Sequence, residues 1–184
     1  MRLADLGPRI CILGPSNSGK STLAAAIGAA HGHDVIHLDL LYHHPNSDWE
    51  PRPKDEFIAL HDMAIQGDRW VIDGNYSRGF PQRLARATGL ILLDIPTAAS
   101  LLRYVRRTLF ERHGRAGGLE GCKDSIKWIM IHHIGVVTPR NRKRYAELFR
   151  QTDLPKIGLL SARDIDRFYR TEALQPVRPG RISP

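Results

Sequence analysis

Five short apolar runs punctuate this chain, at 9–13 (RICIL), 35–38 (VIHL), 70–73 (WVID), 90–95 (LILLDI) and 156–160 (KIGLL). They are continuous rather than alternating, which is the pattern of strands buried on both faces. Between them the apolar positions recur at helical spacing. Leu23, Ala24 and Ile27 do so over 20–30, and Phe57, Ile58, Leu60, Ala64 and Ile65 over 53–66. Strands alternating with helices predict a parallel sheet covered on both sides, with ligands bound beyond the carboxyl ends of its strands. Asp39, Asp73 and Asp94 all fall at such ends.

No strand pattern occurs over 97–151. Leu101, Leu102, Val105 and Leu109 make one stripe, while Arg103, Arg106 and Arg107 crowd another face of the same helix. The glycine-bearing bend HGRAGGLEG (113–121) separates it from helices expected over 125–134 and 140–150. The proline-rich end, 175–184, reads as a disordered tail.

The 184 residues suit one domain, here 1–174, with 42% hydrophobic and 25% charged residues, as in ordinary soluble proteins. No run is long enough to span a membrane, and the first residues lack the apolar core of a signal peptide. Cys11 and Cys122 fit no ligand spacing and read as reduced structural thiols, which points to the cytoplasm. The net charge of +8 favours anionic partners, whether nucleotides, phosphorylated metabolites or nucleic acid.

The first run ends in GPSNSGKST: Gly14, Pro15, Ser16, Asn17, Ser18, Gly19, Lys20, Ser21 and Thr22. Gly14, Gly19, Lys20 and Ser21 satisfy G-x-x-x-x-G-K-[ST] between a predicted strand and a predicted helix. The glycines let successive amides face one centre, and the helix start adds its dipole. Lys20 reaches the terminal phosphates, and the Ser21 hydroxyl ligates Mg²⁺. The pattern defines a nucleotide-phosphate site, and without an N-K-x-D sequence it is not that of a GTPase.

A second stretch, WVIDGNYSR (70–78), ends a strand at Asp73 and then offers Gly74, Asn75 and Tyr76 to the cleft. With the loop, it resembles the adenylate-kinase-like group of small P-loop kinases. It is closest to the DNA topology modulation protein family, whose members carry a strand-end LD, W-x-I-D-G-N-Y, LD-x-P, an arginine-rich helix and a GC step. Here these are Leu38-Asp39, 70–76, 93–96, 103–107 and Gly121-Cys122. The likeness covers about residues 9–170 and implies a three-layer P-loop NTPase fold. That fold comprises a five-stranded parallel sheet, a helical lid over about 97–151, and phosphoryl-transfer machinery using ATP and Mg²⁺. Adenylate kinases have Asp-Gly-Phe-Pro-Arg where this chain has Asp73-Gly74-Asn75-Tyr76, so AMP is not the expected acceptor.

On this reading Mg²⁺ is held by Ser21 with Asp94 or Asp73. Asp39 orients or deprotonates an acceptor hydroxyl, or else serves as a helix cap. Asp73, Gly74, Asn75, Tyr76 and Arg83, with Arg78, line the acceptor side. Arg103 and Arg107, joined by Arg112 and Arg115, neutralise the migrating charge. Arg163 lies where related kinases stack adenine, next to Ser161, a possible helix N-cap. His43 and His44 read as solvated loop residues. Three functions fit: a phosphotransferase with a small-molecule or nucleotide acceptor, a nucleotide-dependent nucleic-acid-binding regulator, or a slow ATPase without an acceptor. No DNA-reading motif accompanies the charge.

Overall fold

A computed structural model describes residues 1–47, 49–96 and 138–177. Its sheet has five parallel strands in the order β2-β3-β1-β4-β5: β1 (Arg9–Leu13), β2 (Asp34–His37), β3 (Trp70–Asp73), β4 (Gly89–Leu93) and β5 (Lys156–Leu159). The described helices are α1 (Lys20–His31), α2 (Leu38–Tyr42), α3 (Lys54–Ala64), α4 (Phe80–Arg86), α5 (Thr138–Gln151) and α6 (Ala162–Thr171).

In β1, β3 and β4 the apolar runs are continuous because alternate side chains enter two different cores. β5 turns only Ile157 and Leu159 inward, onto one of them, and Val35 of β2 is exposed. Ile10 and Ile12 of β1, Val71 of β3, and Ile91 and Leu93 of β4 pack with Leu23 and Ile27 of α1 and with Ile165 and Phe168 of α6. Cys11, Leu13, Trp70, Ile72, Leu90 and Leu92 point the other way, onto Leu38, Phe57, Phe80 and Tyr145. Helices thus cover both faces, giving three layers. Burial pushes the Cys11 thiol up to about 12, so it behaves as a core hydrophobe.

Three elements depart from the sequence expectation. The second strand starts and stops one residue earlier, at Asp34 and His37, and Leu38 opens a helix with no breaker between. Asp39 therefore lies in the first turn of α2. Helix α4 begins at Phe80-Pro81, where proline is tolerated because a first-turn amide needs no intrahelical partner. Of the span expected as a lid, residues 97–137 lie outside the described residues. Its last helix, α5, packs on the sheet through Tyr145.

The chain leaves β1 toward the β2 side and later returns past β1 to β4, so β1 stands where the strand order reverses. Ligand sites of open parallel sheets form beyond such a strand. The glycine loop leads directly out of the carboxyl end of β1.

Candidate phosphate and acceptor site

Gly14 is the first residue beyond β1, with φ 146°, and a Cβ there would sit 2.2 Å from the Leu93 carbonyl oxygen of β4. Only glycine lets the loop pass this close to the neighbouring strand. The loop then turns through Asn17 at φ 60°, and Ser18 N–H donates to the Pro15 carbonyl at 3.3 Å. α1 starts after Gly19, whose position provides no side-chain cap, so its leading amides are available to an anion. The Lys20 ammonium donates to the Pro15 carbonyl at 2.8 Å and lies within the loop. Burial lowers its proton affinity, while the Asp73 and Asp39 carboxylates are close enough to oppose that loss. Thr22 is exposed and Ser16 half-buried.

Asp73 ends β3 and is 4% exposed. The Ser21 hydroxyl donates to its Oδ2 at 2.7 Å, and His37 Nδ1–H donates to its Oδ1 at 2.5 Å. Strand register sets the second contact, because His37 and Asp73 are Cα partners in the β2–β3 pair. Asp94 is placed differently. Its Oδ1 accepts from Arg142 Nε of α5 at 2.6 Å. Of the two carboxylates considered for Mg²⁺, Asp73 is the one that touches Ser21.

Past Asp73 the chain turns at Gly74, with φ 129°, where a Cβ would meet Leu38 Cβ at 2.8 Å. This close pass over α2 delivers the next two side chains. Asn75 does not project freely into the cleft. Its Nδ2 donates to the Gly14 carbonyl at 2.6 Å, and Gly14 N–H donates to its Oδ1 at 3.3 Å. The amide clamps the loop to the end of β3. Tyr76 donates to Asp39 Oδ1 at 2.6 Å, and its ring lies against Tyr42 and Phe57, with centroids at 4.6 and 5.4 Å. Burial, and then the Asp39 charge, drive the phenol pKa upward, so Tyr76 keeps its proton and stays a donor.

Arg83 of α4 is 1% exposed. It donates through Nη2 to the Tyr76 carbonyl at 3.1 Å, and its guanidinium stands 4.6 Å from the Phe80 ring centroid. Nε and Nη1 are buried with no hydrogen-bond partner among the described residues, and desolvation lowers its proton affinity. Arg78 and Arg163 are exposed. Ser161 is the N-cap of α6, its hydroxyl accepting from Asp164 N–H at 3.1 Å. His43 is half-buried rather than solvated: Nδ1–H donates to the Asp39 carbonyl at 3.0 Å. Arg103, Arg106, Arg107, Arg112 and Arg115 lie outside the described residues.

Sequence reasoning missed His37 and Arg142. The only signal for His37 was its place two residues before Asp39 at a strand end. Nothing local marks Arg142, whose partner is 48 positions away. Among the described residues no group of three or more His, Cys, Asp or Glu side chains is placed to hold a metal ion. The uncapped α1 start, the close-passing glycine, the internal lysine and the Ser21–Asp73 pair all fit a nucleoside triphosphate with its cation.

Fold and loop together define a P-loop protein with the architecture of the small kinases, and comparison with solved structures agrees. A sugar kinase from Janibacter sp. HTCC2649 superposes with a TM-score of 0.50 at 16% identity, covering 92% of this chain and 96% of that one. For a gluconokinase from Sinorhizobium meliloti 1021 the values are 0.50, 15%, 94% and 94%. For a shikimate kinase from Acinetobacter baumannii in complex with shikimate they are 0.55, 13%, 92% and 95%. At such identities the shared property is the fold. No family model matches the sequence, and no curated protein matches it. No described helix is long and apolar enough to cross a membrane.

Proposed function

We propose that the chain is an ATP- and Mg²⁺-dependent phosphotransferase that acts on the hydroxyl of a small molecule or nucleoside-like acceptor. The observation that carries this reading is a pair of carboxylates beside the glycine loop, Asp73 bonded to Ser21 and Asp39 bonded to Tyr76. One belongs to the loop side of the cleft and the other to the α2 side. On this reading the second carboxylate serves an acceptor hydroxyl; in a hydrolase it would orient water, and following the transferred phosphate separates the two.

ATP supplies the phosphoryl group, and Mg²⁺ offsets its charge. The loop amides from Gly14 to Thr22 and the start of α1 bind the phosphates, and Lys20 reaches the β- and γ-phosphate oxygens. Ser21, supported by Asp73, faces the cation. Tyr76 occupies one oxygen of Asp39 and leaves Oδ2 to take an acceptor hydroxyl. As the acceptor oxygen bonds to the γ-phosphorus and the bridging P–O bond to ADP breaks, the hydroxyl proton passes to Asp39. Arg83, buried behind the acceptor side, supports it by holding the Tyr76 carbonyl. Arg103 and Arg107, on the part of the expected lid that precedes α5, stabilise the spread charge. Arg163 lies beside the adenine, and residues 1–174 form one domain. The names of the three similar structures, which are sugar, gluconate and shikimate kinases, favour a small hydroxylated acceptor.

Asp39→Asn tests the division of labour. It should leave ATP affinity within about twofold while lowering turnover by a factor of about 100 or more, the range removed with a proton acceptor. Calorimetry and a coupled ADP assay read the two quantities. Equal turnover would remove Asp39 from the reaction.

A further inference from the structure

The Ser21–Asp73 contact has a third member that the reaction as described does not use. His37 ends β2 beside Asp73 in register, and its Nδ1–H holds Asp73 Oδ1 at 2.5 Å while Oδ2 takes the Ser21 hydroxyl at 2.7 Å. The side chains of His37 and Asp73 are 12% and 5% exposed. We infer that His37 is a positioning residue for the cation: it locks the Asp73 carboxylate so that Ser21 presents its oxygen lone pairs to the metal. This rests on the reading of Ser21 and Asp73 as the metal side of the site.

His37 acts through rotation and proton commitment. A carboxylate held at one oxygen has only the other to offer, so the His37 bond fixes Asp73 about its Cβ–Cγ bond. A serine hydroxyl carries one proton, and giving it to Oδ2 turns both lone pairs away from Asp73. The bond to a carboxylate also assigns the imidazole tautomer, with the proton on Nδ1. Take away the donor and Asp73 is free to turn, and Ser21 loses its fixed acceptor. Partners one bond removed from metal ligands typically contribute about 10–100-fold to metal affinity. The β2–β3 register supplies this contact at no entropic cost from loops, because both residues end paired strands.

The test is calorimetric binding of a non-hydrolysable ATP analogue, with Mg²⁺ or with chelator, to four proteins: wild type, Ser21→Ala, His37→Phe and His37→Asn. Phe keeps a ring without the donor, whereas Asn keeps an N–H donor near the Nδ1 position. Mg²⁺ should tighten wild-type binding, and Ser21→Ala should remove that gain. His37→Phe should cut the gain by about 10–100-fold with metal-free affinity unchanged, and His37→Asn should restore most of it. A full Mg²⁺ gain in His37→Phe overturns the inference and leaves the metal reading standing. So does equal impairment of the Phe and Asn variants, or failure of both to fold, which would make His37 structural only. No Mg²⁺ gain in wild type overturns the metal reading itself, and the inference with it.

Discussion

Gly14 has no substitute in this fold. Its φ of 146° and the 2.2 Å gap to the Leu93 carbonyl leave no place for a side chain. Gly14→Ala should therefore cost about 1–3 kcal/mol in backbone strain alone, lowering the denaturant midpoint and abolishing ATP binding; a variant of normal stability that still binds would refute the close approach. The loop residues were legible because their spacing has a mechanism. The residues around them were less so. Asp73 and Asp94 both read as strand-end carboxylates. That the first bonds Ser21 and the second Arg142 depends on residues 52 and 48 positions away. An amide after an aspartate-glycine step looks the same whether it meets a ligand or a backbone, so Asn75 read as an acceptor contact where the structure has a clamp.

At the scale of elements, Asn75 ties the turn after β3 to the loop after β1 with two hydrogen bonds. At about 1 kcal/mol net for each, Asn75→Ala should weaken ATP binding by up to about 30-fold. The melting temperature should fall by a few degrees as well, and unchanged affinity would show that the clamp has no functional weight. The strands were read within one or two residues because a continuous apolar run marks each of them, and at β1, β3 and β4 that run feeds both cores. The boundary between β2 and α2 was not readable. VIHLDLL is apolar almost throughout, and no glycine or proline marks the point where strand becomes helix. α4 was hidden for the opposite reason, since Pro81 reads as a breaker yet stands where a helix tolerates it.

For the whole molecule, two buried histidines set an acid limit. His61 and His33 both hold their protons less tightly in the folded state, chiefly through desolvation, with the Arg83 charge added at His61 and Arg69 at His33. The unfolded chain then binds more protons once the pH drops below the ordinary histidine value of about 6.5. Stability should be full above that pH and decline as the pH falls beneath it. Denaturant unfolding at a series of pH values checks this, and His61→Leu should show a shallower decline; an identical slope would contradict the assignment. The three-layer architecture was legible from strand and helix alternation alone. The acceptor was not, because the same sheet and loop serve many acceptors.

The central claim is transfer to an acceptor rather than release to water. The direct measurement follows the γ-phosphate of radiolabelled ATP into products, with Mg²⁺ and a panel of sugars, hydroxy acids, nucleosides and nucleotides. The account predicts label in an organic product for at least one compound, and none with Lys20→Ala. Label found solely in inorganic phosphate, at a rate that no compound changes, would contradict it.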